Sequence, residues 1–276
     1  MNTKHDNVGA LIPVRLESER LPGKALMEIC GRPIIYHLLD RVTACKYITP
    51  KNTVICTTEE PSDDPLAEAV EAYGASLFRG STDDIIERFH AAITQFDFDA
   101  VIQVDGDDPL SATEYMDLTM DRLLGDTTLD IVTCRGLPLG TAVKSFSKNA
   151  MEQVFDRYRS TQNDTGFIYY FTKTGICTQA EVAPVSPDHI HDEARLTLDY
   201  RQDFEMFKAV FEELYMPGRL PGLSEVVRYL RSHPEVVALN TNLNEEYWKR
   251  TQEKVALEFE DENGKLHSIP MSIPSI

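Results

Sequence analysis

The strongest constraint on the fold is an alternation in the first half of the chain, where short apolar runs rich in β-branched residues are separated by stretches of helical periodicity. Val8 to Pro13 reads as a strand, and Pro33 to Ala44 as a helix with proline in its first turn. Asn52 to Thr57 (NTVICT) is a second strand, after which Asp64 caps a helix with Leu66, Ala67, Val70 and Tyr73 at helical spacing. Ser76 to Phe78 is a short strand, and Ser81 or Thr82 caps the helix carrying Ile85, Ile86, Phe89, Ala92 and Ile93. Ala100 to Val104 is a strand, Ala112 to Leu124 a helix and Asp130 to Cys134 a strand. Strands joined through helices run mainly parallel, by right-handed crossovers, with helices over both faces. The expected class is therefore α/β, with a Rossmann-like mixed, mainly parallel sheet.

From about Leu137 the pattern is less regular. Short strands at Val143–Phe146, Ile168–Phe171 and Glu181–Val185 surround a helix from Lys148 to Tyr158 and read as a small inserted lobe over about 137–191. An extended run, Arg195 to Asp199, then leads into helices at Gln202–Leu214 and Leu223–Ser232. Residues 1–236 are expected as one domain. Residues 237–276 are expected as a C-terminal arm, with a hairpin over Val255–Ile269 turning at Asn263-Gly264 and a tail from Pro270 to Ile276.

Composition narrows the function classes. A chain of 276 residues that is 42% hydrophobic and 26% charged can bury a sizeable core. Its formal net charge of -18 opposes general nucleic-acid binding, because an acidic surface repels phosphate backbones at long range. No apolar run approaches a membrane span, and Met1 to Asp6 is not followed by the apolar segment of a secretion signal. Five cysteines, Cys30, Cys45, Cys56, Cys134 and Cys177, are widely spaced and form no CxxC pair, as expected of thiols in a reducing cytoplasm.

Three segments could carry chemistry. Ile12-Pro13-Val14-Arg15-Leu16-Glu17-Ser18-Glu19-Arg20-Leu21-Pro22-Gly23-Lys24 follows the first strand and puts three cations and a glycine in one loop, a combination suited to phosphates. Val104-Asp105-Gly106-Asp107-Asp108-Pro109-Leu110 follows another strand, and carboxylates there suit a hard divalent cation bridging nucleotide phosphates. Leu198-Asp199-Tyr200-Arg201-Gln202-Asp203-Phe204-Glu205 ends a strand and opens a helix, so Asp199 can cap that helix or serve as a second metal ligand. The first two segments fall at carboxyl ends of strands, where open α/β sheets bind ligands.

Those residues also carry a resemblance. Ile12, Pro13, Arg15, Ser18, Arg20, Leu21, Pro22, Gly23 and Lys24 match the IPAR-x-x-S-x-RLPGK loop of cytidylyltransferases that make CMP-activated sugar acids. Gly106 to Leu110 resembles the GD-[EC]-PL segment of that family, and Leu198 to Glu205 is similar to its VDTPEDLE segment. Phe78-Arg79-Gly80-Ser81-Thr82-Asp83-Asp84 resembles the spore-coat polysaccharide (SpsF-like) and acylneuraminate members.

The resemblance implies a nucleotide-diphospho-sugar transferase-like fold and transfer of CMP from CTP to a small anionic acceptor, with release of pyrophosphate. It implies that Arg15, Arg20 and Lys24 bind the triphosphate, that Ile12, Pro13, Ser18, Gly80, Ser81 and Asp105 lie at the nucleotide, and that Asp107 and Asp199 hold Mg2+. Lys144 and Arg157 are the expected acceptor cations in the 137–191 lobe, and a homodimer is expected.

Departures from the pattern bear on the acceptor. Glu17 and Glu19 stand where the family has small or neutral residues. Gly140 to Lys144 replaces a commonly acidic segment, and Asn163 to Gly166 one that commonly contains His. His189, His191 and Asp192 are read as a solvated loop, and Tyr247 with Trp248 as packing for the arm. Two other classes stay open: a glycosyltransferase using Asp105-Gly106-Asp107 as a DxD motif, which would lack the RLPGK loop, and a non-catalytic nucleotide-binding homologue.

Overall fold

Seven of the expected extended runs pair into one sheet in the computed structural model, which describes residues 7–160, 162–163 and 166–270. The strands are β1 (Val8–Pro13), β2 (Thr53–Thr58), β3 (Ser76–Gly80), β4 (Ala100–Gln103), β5 (Ile131–Cys134), β6 (Lys144–Ser147) and β7 (Gln179–Val182). They lie in the order β3-β2-β1-β4-β6-β5-β7. β1 pairs in parallel with β2 and β4, β2 with β3, and β5 with β7. Only β6 runs against its neighbours, β4 and β5.

Alternation along β1 explains why both faces are covered. Ala10 and Ile12 join a buried cluster with Leu38 and Val42 of α1 (Ile34–Thr43), Val70 of α2 (Asp64–Tyr73) and Met116 of α4 (Thr113–Gly125). Leu11 faces the other way, into a cluster with Phe89 of α3 (Ile85–Phe96), Val154 of α5 (Lys148–Arg157) and Phe171 of α6 (Ile168–Thr172). A third cluster seats Leu196 and Leu198 against α7 (Arg201–Leu214) and α8 (Leu223–Ser232). No helix among the described residues is long and apolar enough to cross a membrane.

The structure corrects several local expectations. Ile168–Phe171, expected as a strand, is the short helix α6, closed by Tyr169 N–H to Gly166 O at 2.9 Å. Its aromatic residues pack onto α3 and α5, so tertiary burial overrides their strand propensity. Asp84, not Ser81 or Thr82, caps α3, accepting from Glu87 N–H, and Asp63 rather than Asp64 is the residue before α2. The segment expected as an inserted lobe contributes β6 and β7 to the main sheet.

Arg195 to Asp199 is extended but lies outside the sheet, forming a seam with Leu196 N–H to Leu139 O at 2.7 Å and Leu198 N–H to Asp107 O at 2.8 Å. In the arm, α9 (Asn244–Lys254) precedes the hairpin of β8 (Ala256–Glu260) and β9 (Leu266–Pro270). Leu257 and Phe259 are buried in the α3–α5 cluster. The expected tail beyond Pro270, and Asp164 and Thr165, lie outside the described residues.

Two glycines make the seams possible. A Cβ on Gly106 would stand 2.4 Å from Pro13 O, so only glycine lets the acidic segment approach β1. Gly140 has φ +88°, and a Cβ there would stand 2.1 Å from Leu196 O. Gly140→Ala is therefore expected to destabilise the protein by about 2 kcal/mol or more, because it adds left-handed strain to a backbone clash. Gly125→Ala, where nothing lies within 4 Å, is expected to be neutral or stabilising. Urea unfolding of both variants checks this.

Candidate active site

The carboxyl ends of β1 and β4 open into a cleft of about 440 Å³, lined by the loop after β1, the acidic segment after β4 and the 195–199 seam. Its basic wall is built from the backbone outward. Val14 N–H donates to Cys56 O at 3.1 Å, and Leu16 N–H to Asp63 Oδ1 at 2.7 Å. Leu16 O accepts from Ser18 N–H and Gly23 N–H, both at 2.9 Å, and Gly23 takes φ +70° to turn the chain toward Lys24. Asp63 is buried and anchored by Thr57 Oγ1 at 2.7 Å, Thr58 Oγ1 at 2.5 Å and Thr58 N–H at 3.2 Å. With the Val14–Cys56 bond, it ties the loop to the end of β2.

Lys24 is the centre of the cleft. Its ammonium donates to Leu198 O at 2.6 Å, Asp107 Oδ2 at 2.9 Å and Asp199 Oδ1 at 3.2 Å. Burial would lower the Lys24 pKa, but Asp107 and Asp199 more than offset it, and the pKa is raised. Asp199 also pairs with Arg20 and, at 3.0 Å, with Arg195. Burial alone would raise the Asp199 carboxyl, yet Lys24, Arg20 and Arg195 hold it below the ordinary carboxylate value. Asp107 goes the other way: burial, aided by the Asp199 and Asp105 charges, outweighs Lys24 and raises it.

Behind Asp199 stands a buried network. Asp203 accepts from Asp199 N–H and Tyr200 N–H, both at 2.8 Å, which both caps α7 and fixes the Asp199 backbone. Its other oxygen accepts from Arg195 Nε at 2.9 Å and Asn240 Nδ2 at 2.8 Å. On the opposite side of the acidic segment, Asp105 is paired with Lys144 Nζ at 2.6 Å and accepts from Gln103 Nε2 at 2.8 Å.

The comparisons with known proteins agree with this geometry. The sequence model of the cytidylyltransferase family matches residues 9–216. The chain belongs to the cytidylyltransferase family. It is a nucleotidyltransferase whose family match takes in the basic loop, the acidic segment and the 195–203 network. The 3-deoxy-manno-octulosonate cytidylyltransferase of Yersinia pseudotuberculosis is 30% identical over 192 residues, covering 66% of this chain and 69% of that one. A solved cytidylyltransferase from Leptospira borgpetersenii superposes with a TM-score of 0.76 at 25% identity, over 84% of this chain and 97% of that one. A CMP:2-keto-3-deoxy-manno-octonic acid synthetase complexed with CTP shares the fold, with a TM-score of 0.59 at 16% identity over 76% of this chain and 100% of that one.

Most of the residues expected in this cytidylyltransferase site converge. Pro13, Arg15, Ser18, Arg20, Lys24, Asp105, Asp107, Lys144 and Asp199 all line the cleft. Ile12 does not; it is fully buried beneath the loop. Gly80 and Ser81 also stand outside the lining, because Arg88 intervenes, donating from Nε to Ser81 O at 2.8 Å and from Nη1 to Cys56 O at 3.1 Å. Arg157 does not line the cleft: it sits in the last turn of α5, within electrostatic reach of Cys177. Glu17 and Glu19 are exposed at the mouth of the cleft, and Glu19 pairs with Arg250.

His189 is buried and hydrogen-bonded through Nδ1 to Tyr115 Oη at 2.8 Å, a structural contact. Asn163 is likewise structural, accepting from Ile85 N–H at 2.8 Å at the start of α3. Sequence reasoning missed Asp63, Arg88, Arg195 and Tyr247. Arg195 carried a usable signal, since an arginine inside the apolar run Ala194-Arg195-Leu196-Thr197-Leu198 must find buried partners. Tyr247, expected only as packing, lines the cleft with its ring 4.9 Å from the Arg195 guanidinium.

Asp63 gives a pH test of the loop anchor. Burial alone would raise its pKa, but hydrogen bonds from Leu16, Thr58 and Thr57 bring it below the ordinary value of 3.8. A depressed carboxyl stabilises the fold fully above its unfolded pKa, and that contribution is lost as pH falls through the lower folded value. Wild-type protein is expected to lose stability below about pH 4 with a steeper slope than Asp63→Asn. Urea unfolding across the acid range measures the difference in slope.

Proposed function

We propose that this cleft catalyses attack of an anionic acceptor on the α-phosphorus of CTP, forming a CMP-activated product and releasing pyrophosphate. The observation that carries the reading is the Lys24 ammonium held between Asp107 and Asp199, beside Arg20 and Arg15 in one rigid loop. Such a displacement needs no covalent nucleophile. It needs alignment of the incoming and leaving oxygens and neutralisation of charge on the phosphates. Arg15, Arg20 and Lys24 supply cations on the leaving-group side.

Asp107 and Asp199 fit a magnesium ion. Their oxygens converge on one cation already, both are hard ligands, and Mg2+ takes one or two carboxylates with phosphate oxygens and water. Among the described residues no three metal-ligating side chains form a cluster, so the substrate would complete the shell. When bound, the ion neutralises phosphate charge and lowers the pKa of an acceptor hydroxyl. With Asp107 and Asp199 engaged by such an ion, the Lys24 ammonium beside them would be available to the triphosphate.

Lys144 stands across Asp105 from the basic loop, so it is the cation best placed for an acceptor carboxylate, phosphate or phosphonate. The similarity to 3-deoxy-manno-octulosonate cytidylyltransferases supports a sugar acid. A glycosyltransferase reading of Asp105-Gly106-Asp107 fares worse, because the cytidylyltransferase match over residues 9–216 takes in the Arg20–Lys24 loop that such transferases lack.

Asp107→Asn and Asp199→Asn are each expected to lower turnover about a hundred- to a thousand-fold, the scale of one lost electrostatic contact at a transition state. Pyrophosphate release from CTP at limiting magnesium, with 3-deoxy-manno-octulosonate among the acceptors, measures it; near-normal rates in both variants would sink the assignment. Lys24→Ala is expected to weaken CTP binding much more than CMP binding, since CMP lacks the phosphates assigned to Lys24. Calorimetry with the two nucleotides decides, and equal losses would put Lys24 elsewhere.

A further inference from the structure

The family match ends at residue 216, yet the cleft does not. Helix α9 lies across its mouth and contributes Tyr247, Arg250 and Thr251 to the lining. Two contacts fix the helix there. Glu246 accepts from Tyr200 Oη at 3.0 Å, and the Tyr247 ring packs on Arg195. The chain following α9 is held as closely, since a Cβ on Gly166 would stand 2.6 Å from Val255 Cγ2. The next turn of α9 thus carries Arg250 to the basic loop, where its guanidinium meets Glu19, the residue before Arg20.

We propose that Arg250 is a fourth triphosphate-binding cation, delivered by the C-terminal arm and held by Glu19 until CTP arrives. This deepens the cytidylyltransferase reading and rests on it. The ion pair is exposed, with Glu19 at 74% and Arg250 at 31% of full side-chain accessibility. Exposed pairs contribute little, because water screens them and two long side chains lose freedom. A terminal phosphate group arriving in the partly enclosed cleft offers two oxygens of a multiply charged anion to the same guanidinium, and such bidentate charge-assisted pairs are the stronger ones. Exchange of Glu19 for phosphate therefore costs little and gains a contact. It also explains why an anion is tolerated in this loop: Glu19 neutralises Arg250 when the site lacks nucleotide.

A plain structural latch and a phosphate ligand differ in sign. If the pair only holds the arm down, Arg250→Gln and Glu19→Gln break the same contact and must weaken CTP binding alike. If Arg250 binds the triphosphate, Arg250→Gln weakens CTP about tenfold, while Glu19→Gln, which removes the competing anion, tightens it several-fold. CMP affinity is expected to stay unchanged in both, and Arg250→Lys to recover part of the loss. Calorimetric titration of the full chain with CTP and with CMP reads all of these. Equal weakening by both variants, or no change in either, overturns the proposal while leaving the cytidylyltransferase reading intact. Absence of CTP binding by the wild-type protein would instead overturn that reading, and this proposal with it.

Discussion

One ammonium group holds the cleft end of the sheet together. Lys24 Nζ bridges to Asp107, 83 residues away, and to Asp199, 175 residues away, so the basic loop, the acidic segment and the 195–199 seam meet at a single nitrogen. Without that cation the buried Asp199 and the half-buried Asp107 would face one another, and like charges that close repel. The rise in the Asp107 pKa records what remains of this conflict after Lys24 has done what it can.

The groups around this bridge are held by a surrounding frame of buried hydrogen bonds and close backbone contacts. Asp63 takes the Leu16 N–H and is itself held by two threonines at the end of β2. Asp203 joins Arg195, Asn240 and the backbone of Asp199 and Tyr200 in a network with almost no solvent exposure. Gly106 and Gly140 let two backbones come close enough for the seam hydrogen bonds to form. Each of these acts by limiting the freedom of the backbone that carries the charged groups.

The C-terminal arm changes how the site should be viewed. α9 lies beyond the family-matched residues, yet its Tyr247 covers Arg195 and its Arg250 reaches the loop beside Arg20. In sequence the arm reads as packing, because Tyr247 and Trp248 sit in a polar helix with no motif around them. The hairpin after it was legible, since Asn263-Gly264 marks its turn and an alternating run precedes it. What the hairpin does, burying Leu257 and Phe259 against α3 and α5 and so anchoring the end of α9, was not.

The amino-acid sequence by itself determined the alternating α/β order, the strand ends at which the cleft opens and the three charged segments that line it, because periodicity, glycine placement and clustered charge are local properties. It also pointed to Arg15, Arg20, Lys24, Asp105, Asp107, Lys144 and Asp199, all of which line the cleft. It misjudged Ile168–Phe171, where four consecutive apolar and aromatic residues look like a strand until packing against α3 and α5 makes them a helix. It placed Arg157 at the acceptor on charge alone, and α5 carries that side chain away from the cleft. Only the tertiary structure decided that one lysine would sit between Asp107 and Asp199, that Arg88 would stand between Ser81 and the cleft, and that the arm would close over the loop. Those outcomes depend on buried charges finding partners from distant segments, and no window of neighbouring residues contains both halves of such a pair.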